Sequence, residues 1–429
     1  MNALLVRLLP DSALARRLSY QSVLFAIGEG VFITGNAVFF TQIVGLTAAQ
    51  VGLGLSIAGL VTFVLSVPAG KLADRVGPKR IWSIGAVAGA LLYLTYPWIH
   101  GFIGFVAIVC GLALVEAAGG AGRGAYTIDV FPREERVRSL AFMRSALNIG
   151  FTLGALIGGL ALAMHDDDVI RAVPLFTAAI LFVNAWLITR LPDAAHDHPA
   201  PPAPPAEVVS AGADEIAPAV ERPASTSALR NRGFVLLGLM NGVLGTNQVL
   251  LNVVIPLWLV TETDAPRTLL AWLFGTNTVL AVLLQVRAAR GSETVDGALR
   301  ATRLCAISFV LSCVLIMVTA DTLSWVTILL IWLGHVTITG AELFQSAAAW
   351  GFMAELSDPD RRGEYQGAWR LGNQFTWIIG PAAYTWLAMH WGMSGWMLIA
   401  GLAVAASAIA HPAARSAERH LQREVVAVR

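Results

Sequence analysis

Long apolar runs separated by short charged turns set the pattern of this chain. Runs of about 20 apolar residues, the length a helix needs to cross a hydrocarbon core, begin near positions 20, 48, 80, 102, 138 and 170. A second set begins near 233, 266, 301, 323, 363 and 392. Between the two sets lies LPDAAHDHPAPPAPPAEVVSAGADEIAPAVERPASTSALRNR, with eight of the chain's 19 prolines and almost no bulky apolar side chain. Such a segment cannot form a core. The predicted organisation is an N-terminal six-helix half (1–190), a flexible Pro/Ala-rich linker (191–232), a C-terminal six-helix half (233–410) and a tail (411–429). The predicted fold class is all-α and membrane-integral, with twelve transmembrane helices.

Composition agrees with burial in lipid. The chain is 56% hydrophobic and 13% charged, about half the charge of a soluble domain. The 29 basic residues lie mostly on the N-terminus, the turns after even-numbered spans and the C-terminal tail. Odd-numbered turns hold two, Arg171 and Arg267. The positive-inside rule then places both termini and the linker in the cytoplasm. Lysine occurs only at positions 71 and 79, a bias that reads as the base composition of a high-GC bacterium, so the membrane expected is the bacterial inner membrane. The segment MNALLVRLLPDSALARRLS is amphipathic and lacks a small-residue cleavage site, so it does not read as a signal peptide. Net charge of +1 argues neither for nor against nucleic acid; the partners expected are lipid and a small molecule, not nucleic acid. Cys110, Cys305 and Cys313 all sit in apolar runs and offer neither disulfide nor metal spacing.

The halves repeat. A shift of 226 residues carries Glu116 onto Glu342, Asp129 onto Glu355, Arg136 onto Arg362, Arg144 onto Arg370, Gly154 onto Gly380 and Asn148 onto the similar Gln374. A parallel repeat of two six-helix halves is a transporter architecture with its site near the midplane between them.

After the second span comes GKLADRVGPKR, Gly70 to Arg80. Gly70 allows two helix ends to approach closely, and Gly77 permits a turn at positive φ. Asp74, at a helix end, can pair with a cation or accept bonds from exposed amides of a neighbouring helix. The stretch resembles the signature loop of the major facilitator superfamily, G-x-x-x-D-R-x-G-R-[KR]-[KR], through Gly70, Asp74, Arg75, Gly77, Lys79 and Arg80; Pro78 departs from it. The resemblance implies the major facilitator fold, a monomer, and a breakable clasp between the halves on the cytoplasmic side. The alternative is that the charges only set topology. The equivalent stretch VDGALRATR has lost the glycine and acid pattern.

In the fifth span, GFTLGALIGGLAL places Gly150, Gly154, Gly158 and Gly159 as a small-residue face. It resembles the fifth-span motif of the superfamily's proton-driven exporters, except that Ala155 stands where a proline is usual, while Pro381 follows the repeat-equivalent Gly380. Helix packing explains the glycines equally well.

Three acids lie inside apolar runs: Glu29, Glu116 and Glu342. An ionised group at a helix centre costs about 2.5–3.5 kcal/mol on insertion scales, which makes each a proton-coupling candidate. Glu342 ranks first. Its surroundings resemble the tenth-span region of superfamily multidrug exporters, followed by a D-x-x-R-G-x-Y turn of Asp358 or Asp360, Arg362, Gly363 and Tyr365. A static pair with Arg144 or Arg370 is the competing role. Glu116 stands where the superfamily often has an arginine, with Arg123 two turns later. Glu29 shares or adjoins a helix face with Phe25, Phe32, Asn36 and Phe40, a lining suited to a lipophilic cation.

Substrate contacts are expected from Phe25, Asn36, Asn241, Gln248, Asn252, Asn277, His335 and Gln345, with interhelical hydrogen bonding as the rival role for the amides. No phosphate-binding loop, nucleophile–base pair or metal-ligand spacing is present in the sequence, so neither an enzyme nor a cofactor is expected. The proton gradient is the expected energy source. One proton crossing 100 mV releases about 2.3 kcal/mol and one pH unit adds about 1.4 kcal/mol, together several-hundred-fold accumulation. Proton-coupled export of a hydrophobic or amphipathic molecule is the leading reading, and proton-coupled uptake of a small metabolite the alternative.

Overall fold

The computed structural model describes residues 10, 12–164, 166–194 and 227–427, and every regular element among them is helical. The first half holds α1 (Ala13–Ile43), α2 (Ala48–Val76), α3 (Pro78–Leu94), α4 (Gly101–Asp129), α5 (Arg133–Ala163) and α6 (Asp167–Thr189). The second holds α7 (Arg232–Glu262), α8 (Leu269–Ala288), α9 (Val295–Met317) and α10 (Trp325–Glu355). A last helical run, Arg362–Ala427, contains Gly392 at φ +48° and ψ −125°. That residue divides it into α11 (362–391) and α12 (393–427).

Among the described residues, eleven helices are long and apolar enough to cross a membrane, and the last of them is 65 residues long. At 1.5 Å per residue it would extend about 100 Å, three times a hydrocarbon core. The reversal at Gly392, a backbone conformation only glycine adopts readily, makes it two spans, so the chain crosses twelve times. With an even number of spans, both ends of the helical array lie on one side, called the termini side below.

Local chemistry sets the boundaries. Thr47 and Gln50 form a reciprocal capping box at the start of α2. Gly77, at φ +100°, ends α2, and Pro78 opens α3 at once, so the chain reverses over a single residue. Thr294 caps α9 through the Gly297 N–H at 3.1 Å. The glycines of GFTLGALIGGLAL pack α5 on α1: a methyl on Gly154 would lie 2.5 Å from the Ile27 carbonyl and 2.9 Å from the Gly30 Cα. Gly159 faces open space. In the second half Gly242 and Gly372 bring α7 against α11 in the same way.

The flexible linker expected over 191–232 lies mostly outside the described residues. Its far end is placed, with the Ala228 N–H donating to Glu364 Oε1 at 3.1 Å. The expected tail differs. The α12 helix continues through Pro412 to Ala427, because Ala413, Ala414 and Ala417 are small enough to bury against Gly233 and Phe234 at the start of α7.

Candidate functional site

The two halves meet along α2 with α11, α4 with α11, α5 with α8, and α5 with α10. On the termini side, Gly70 and Gly363 bring α2 and the start of α11 into backbone contact; a methyl on either would overlap the other's carbonyl oxygen. That approach lets the Asp74 carboxylate accept the N–H groups of Gly363 (2.6 Å) and Glu364 (2.8 Å). These are orphan amides of the first turn of α11, where a negative charge also meets the positive end of the helix dipole. Lys71 approaches Glu364 at 3.6 Å. Asp129 pairs with Arg362, both buried, and Arg133 Nε donates to Glu355 at 3.0 Å.

Not every cation of the loop reaches across. Lys79 turns to its own half, donating to the Leu191 carbonyl at 2.7 Å and pairing with Asp193. Arg75 and Arg80 are exposed. The start of α3 abuts the end of α6, on the flank away from the second half, so the inter-half contact rests on Gly70, Lys71 and Asp74. The other loop residues of the clasp expected from the sequence make no inter-half hydrogen bond or ion pair among the described residues of this structure.

Deeper in the bundle the 226-residue repeat becomes a pair of related contacts. Arg144 of α5 lies 3.5 Å from Glu342 of α10. Its repeat mate, Arg370 of α11, reaches Glu116 of α4 and donates to the Glu116 carbonyl at 3.5 Å. Glu342 also accepts from Asn277 of α8 at 3.0 Å. The same operation relates Asp129–Arg362 to the contact of α5 with Glu355. Among the described residues, every hydrogen bond and ion pair between the halves lies at this level or nearer the termini side.

A cavity of about 490 Å³ opens between the halves at that depth. Its polar lining is Glu29, Tyr93, Glu116, Arg123, Arg144, Asn184, Gln366 and Arg370; Phe25, Trp82, Leu112, Met143 and Trp350 are among the apolar residues. Glycines of α4 make room for the side chains of α11. A methyl on Gly120 would overlap the Arg370 guanidinium, and one on Gly124 would lie 2.6 Å from the Gln366 amide carbon. Arg123 donates to Ser22 Oγ at 3.3 Å and lies over the Phe25 ring, 5.3 Å from its centroid. Asn184 accepts from Gln21, both buried.

Of the residues the sequence suggests for the cavity, Phe25 lines it, as do Glu29 and Glu116. Several others are placed elsewhere in this structure. Asn36 lies beyond the lining, and Asn241 is buried within the second half. Gln248 and Asn252, one turn apart on α7, bond each other, with Asn252 exposed. His335 is fully buried in the second half. Gln345 faces Gly245 of α7. Asn277 serves Glu342 and Thr339. Phe32 and Phe40 are neither cavity-facing nor exposed; they form a buried aromatic cluster with Tyr93, Tyr96 and Phe105. Glu342 stands outside the cavity, in the pair with Arg144. Trp82, Tyr93, Asn184, Trp350 and Gln366 escaped the sequence reading. The repeat carried one usable signal: an Arg144–Glu342 pair implies that Arg370 approaches Glu116.

Residues 18–349 and 237–427 match the family model described as Major Facilitator Superfamily. Over 179 residues the chain is 26% identical to the quinolone resistance protein NorA of Staphylococcus aureus (strain MRSA252), a stretch covering 40% of this chain and 43% of NorA. The match thus spans less than half of that curated relative's length. A bacterial homologue of the iron transporter ferroportin, in its outward-facing state with soaked iron, superposes with a TM-score of 0.68 at 13% identity, covering 95% of this chain and 99% of that one. FucP, a transporter of the same superfamily in the outward conformation, gives 0.66 at 15% identity, covering 94% and 97%. At these identities the likeness to solved structures shows the fold.

Proposed function

The chain belongs to the major facilitator superfamily as a multi-pass membrane transporter, and from that premise we propose that it exports an amphipathic small molecule from the cytoplasm by proton antiport. The termini side is then cytoplasmic, as the placement of arginines implies, and the membrane is a bacterial inner membrane. One observation carries the reading: a mixed polar and apolar cavity between the halves contains two ionisable acids, Glu29 and Glu116.

Export by exchange requires that proton and substrate compete for one site. The cationic part of a substrate is attracted to Glu29 and Glu116 only while they are ionised; protonation from outside removes that attraction and releases the molecule outward. The empty, protonated carrier then reorients and loses its proton to the cytoplasm. Glu342 takes a different role. Its pair with Arg144 joins the halves, and protonating Glu342 would dissolve it, so the contact loosens when protons are abundant. The Asp74 bonds, the Gly70–Gly363 contact and the Asp129–Arg362 pair hold the cytoplasmic side shut in the state described here. They must part for the cavity to face the cytoplasm.

Inverted membrane vesicles with an acid interior, reported by a quenched dye, test the proposal. Adding amphipathic amines should restore fluorescence in the wild type. The recovery should fall at least tenfold in Glu29→Gln or Glu116→Gln and persist in part in Glu342→Gln. Absence of recovery across a broad panel would refute antiport. Loss of all recovery in Glu342→Gln alone would move the exchanged proton from the cavity acids to the inter-half pair.

A further inference from the structure

The cavity separates its charges into two levels. Arg123 is fixed at the level of Ser22 and Phe25 on α1. Glu29 is seven residues further along α1, and Glu116 seven residues before Arg123 on α4. The two helices run in opposite directions, so both acids are displaced the same way, by about 10 Å at 1.5 Å per residue. The acidic level, with Tyr93 beside it, lies away from the termini side. Arg123 lies toward that side, and Arg370 sits between the two levels, its guanidinium against Gly120 and donating to the Glu116 carbonyl.

The guanidiniums are poorly satisfied. Each carries five N–H donors. Arg123 has the Ser22 hydroxyl, and Arg370 the Glu116 backbone carbonyl, as their hydrogen-bond acceptors among the described residues. Neither hydrogen-bonds a carboxylate. Arg144 has Glu342, although its Nε is buried without an acceptor. Clustered, partly buried cations that line a cavity and have planar donor forks make a receptor for a carboxylate, which such a fork binds bidentately.

With Arg144 answered by Glu342, the cavity retains two cations, Arg123 and Arg370, and, while both acids are ionised, two anions, Glu29 and Glu116. A ligand with one net charge of either sign would leave an uncompensated charge at membrane depth, which is costly. A ligand of zero net charge whose own charges are spaced like those of the cavity leaves none. Between the levels the lining is apolar, with Phe25, Trp82, Leu112, Met143 and Trp350.

We propose that the cavity binds a zwitterionic amphiphile with a carboxylate and a protonated amine about 10 Å apart, joined by an aromatic or otherwise apolar body. The carboxylate lies on Arg123, with Arg370 approaching it from between the levels, and the ammonium lies on Glu29 and Glu116. This deepens the export reading by naming the substrate class and rests on it for direction alone. It replaces the lipophilic cation expected from the sequence, because the sequence alone does not place the arginines on one cavity.

The test is equilibrium binding, by titration calorimetry, of 4′-(aminomethyl)biphenyl-4-carboxylate to the purified full chain in lipid nanodiscs. The comparison probes are its methyl ester, its N-acetyl derivative and the shorter 4-(aminomethyl)benzoate. The biphenyl zwitterion should bind at least tenfold more tightly than all three. Arg123→Gln should erase the preference for acid over ester while ester affinity stays at the wild-type value, which also shows that the variant is folded. Glu29→Gln should erase the preference for free amine over N-acetyl. Equal binding of ester and acid, or tighter binding of the short probe, would overturn the proposal, as would no binding of the biphenyl zwitterion. No gradient is involved. A failure of proton antiport therefore leaves these ratios intact, and altered ratios leave the vesicle result intact.

Discussion

The carboxylate of Asp74 and the backbone N–H of Gly363, 289 residues apart in sequence, are joined by a 2.6 Å hydrogen bond. It is a helix cap supplied by the other half of the molecule. A carboxylate at a helix N-terminus contributes about 0.3–1 kcal/mol when exposed and up to about 2 kcal/mol when partly buried, and Asp74 is partly buried. Asp74→Ala removes both the charge and the acceptors, so the closed termini side should become roughly two- to thirty-fold less populated relative to the open one. Spin labels on the termini-side ends of α2 and α11 would report a longer distance population in the variant. Asp74→Asn, which keeps one acceptor, should fall between. An unchanged distance distribution in Asp74→Ala would show that the glycine contact alone holds the halves.

That glycine contact makes its own prediction. A methyl on Gly70 would overlap the carbonyl of Gly363, a backbone atom that cannot rotate away. Gly70→Ala should therefore leave each half folded and inserted yet prevent closure on the termini side, reducing transport at least tenfold. Gly59→Ala on the same helix meets nothing within 4 Å. It should transport normally and be as stable or up to about 1 kcal/mol more so. Equal transport by the two variants would mean that α2 and α11 need not touch during turnover.

The twelve spans, their starts and the polarity of the turns were legible because a membrane helix announces itself by length and apolarity alone. Which face of each helix meets the cavity was not. A span with apolar neighbours on one side and lipid on the other is apolar all round, and the amphipathic contrast that orients a soluble helix is absent. Hence Phe32 and Asn36 were grouped with Phe25 and Glu29 although only the last two line the cavity. The amides of α7 misled for a related reason: polar groups must avoid lipid, but Asn241 does so by burial in its own half, and Gln248 by bonding Asn252. The repeat was more informative. Glu116, Arg144 and their mates at +226, Glu342 and Arg370, supply both members of the deep inter-half contacts.

The Arg144–Glu342 pair should behave as a unit. Residues sharing an ion pair couple by about 0.5–3 kcal/mol in double-mutant cycles. Glu342→Gln and Arg144→Gln should each shift the equilibrium between access states, and the double variant should shift it by less than their sum. Glu342→Gln should increase hydrogen exchange at the α5–α10 contact relative to the wild type at the same pH. Unchanged exchange there would show that the pair does not hold α5 to α10.

Gly120 tests the cavity without touching a charge. A methyl there would overlap only the far end of the Arg370 side chain. The neighbour that must move is therefore flexible, and the fold should tolerate the change, with an unfolding temperature within about 2 °C of wild type because no backbone is displaced. The guanidinium, however, loses its seat on α4 and its reach to the Glu116 carbonyl. Binding of a carboxylate ligand should weaken several-fold, while binding of its ester should hardly change. Gly119→Ala supplies the contrast. Its methyl would lie 3.5 Å from the Gly85 Cα of α3, an ordinary contact that leaves Arg370 in place, so the acid-over-ester preference should survive. If Gly120→Ala keeps that preference as well, Arg370 does not bind the carboxylate from the position it holds here.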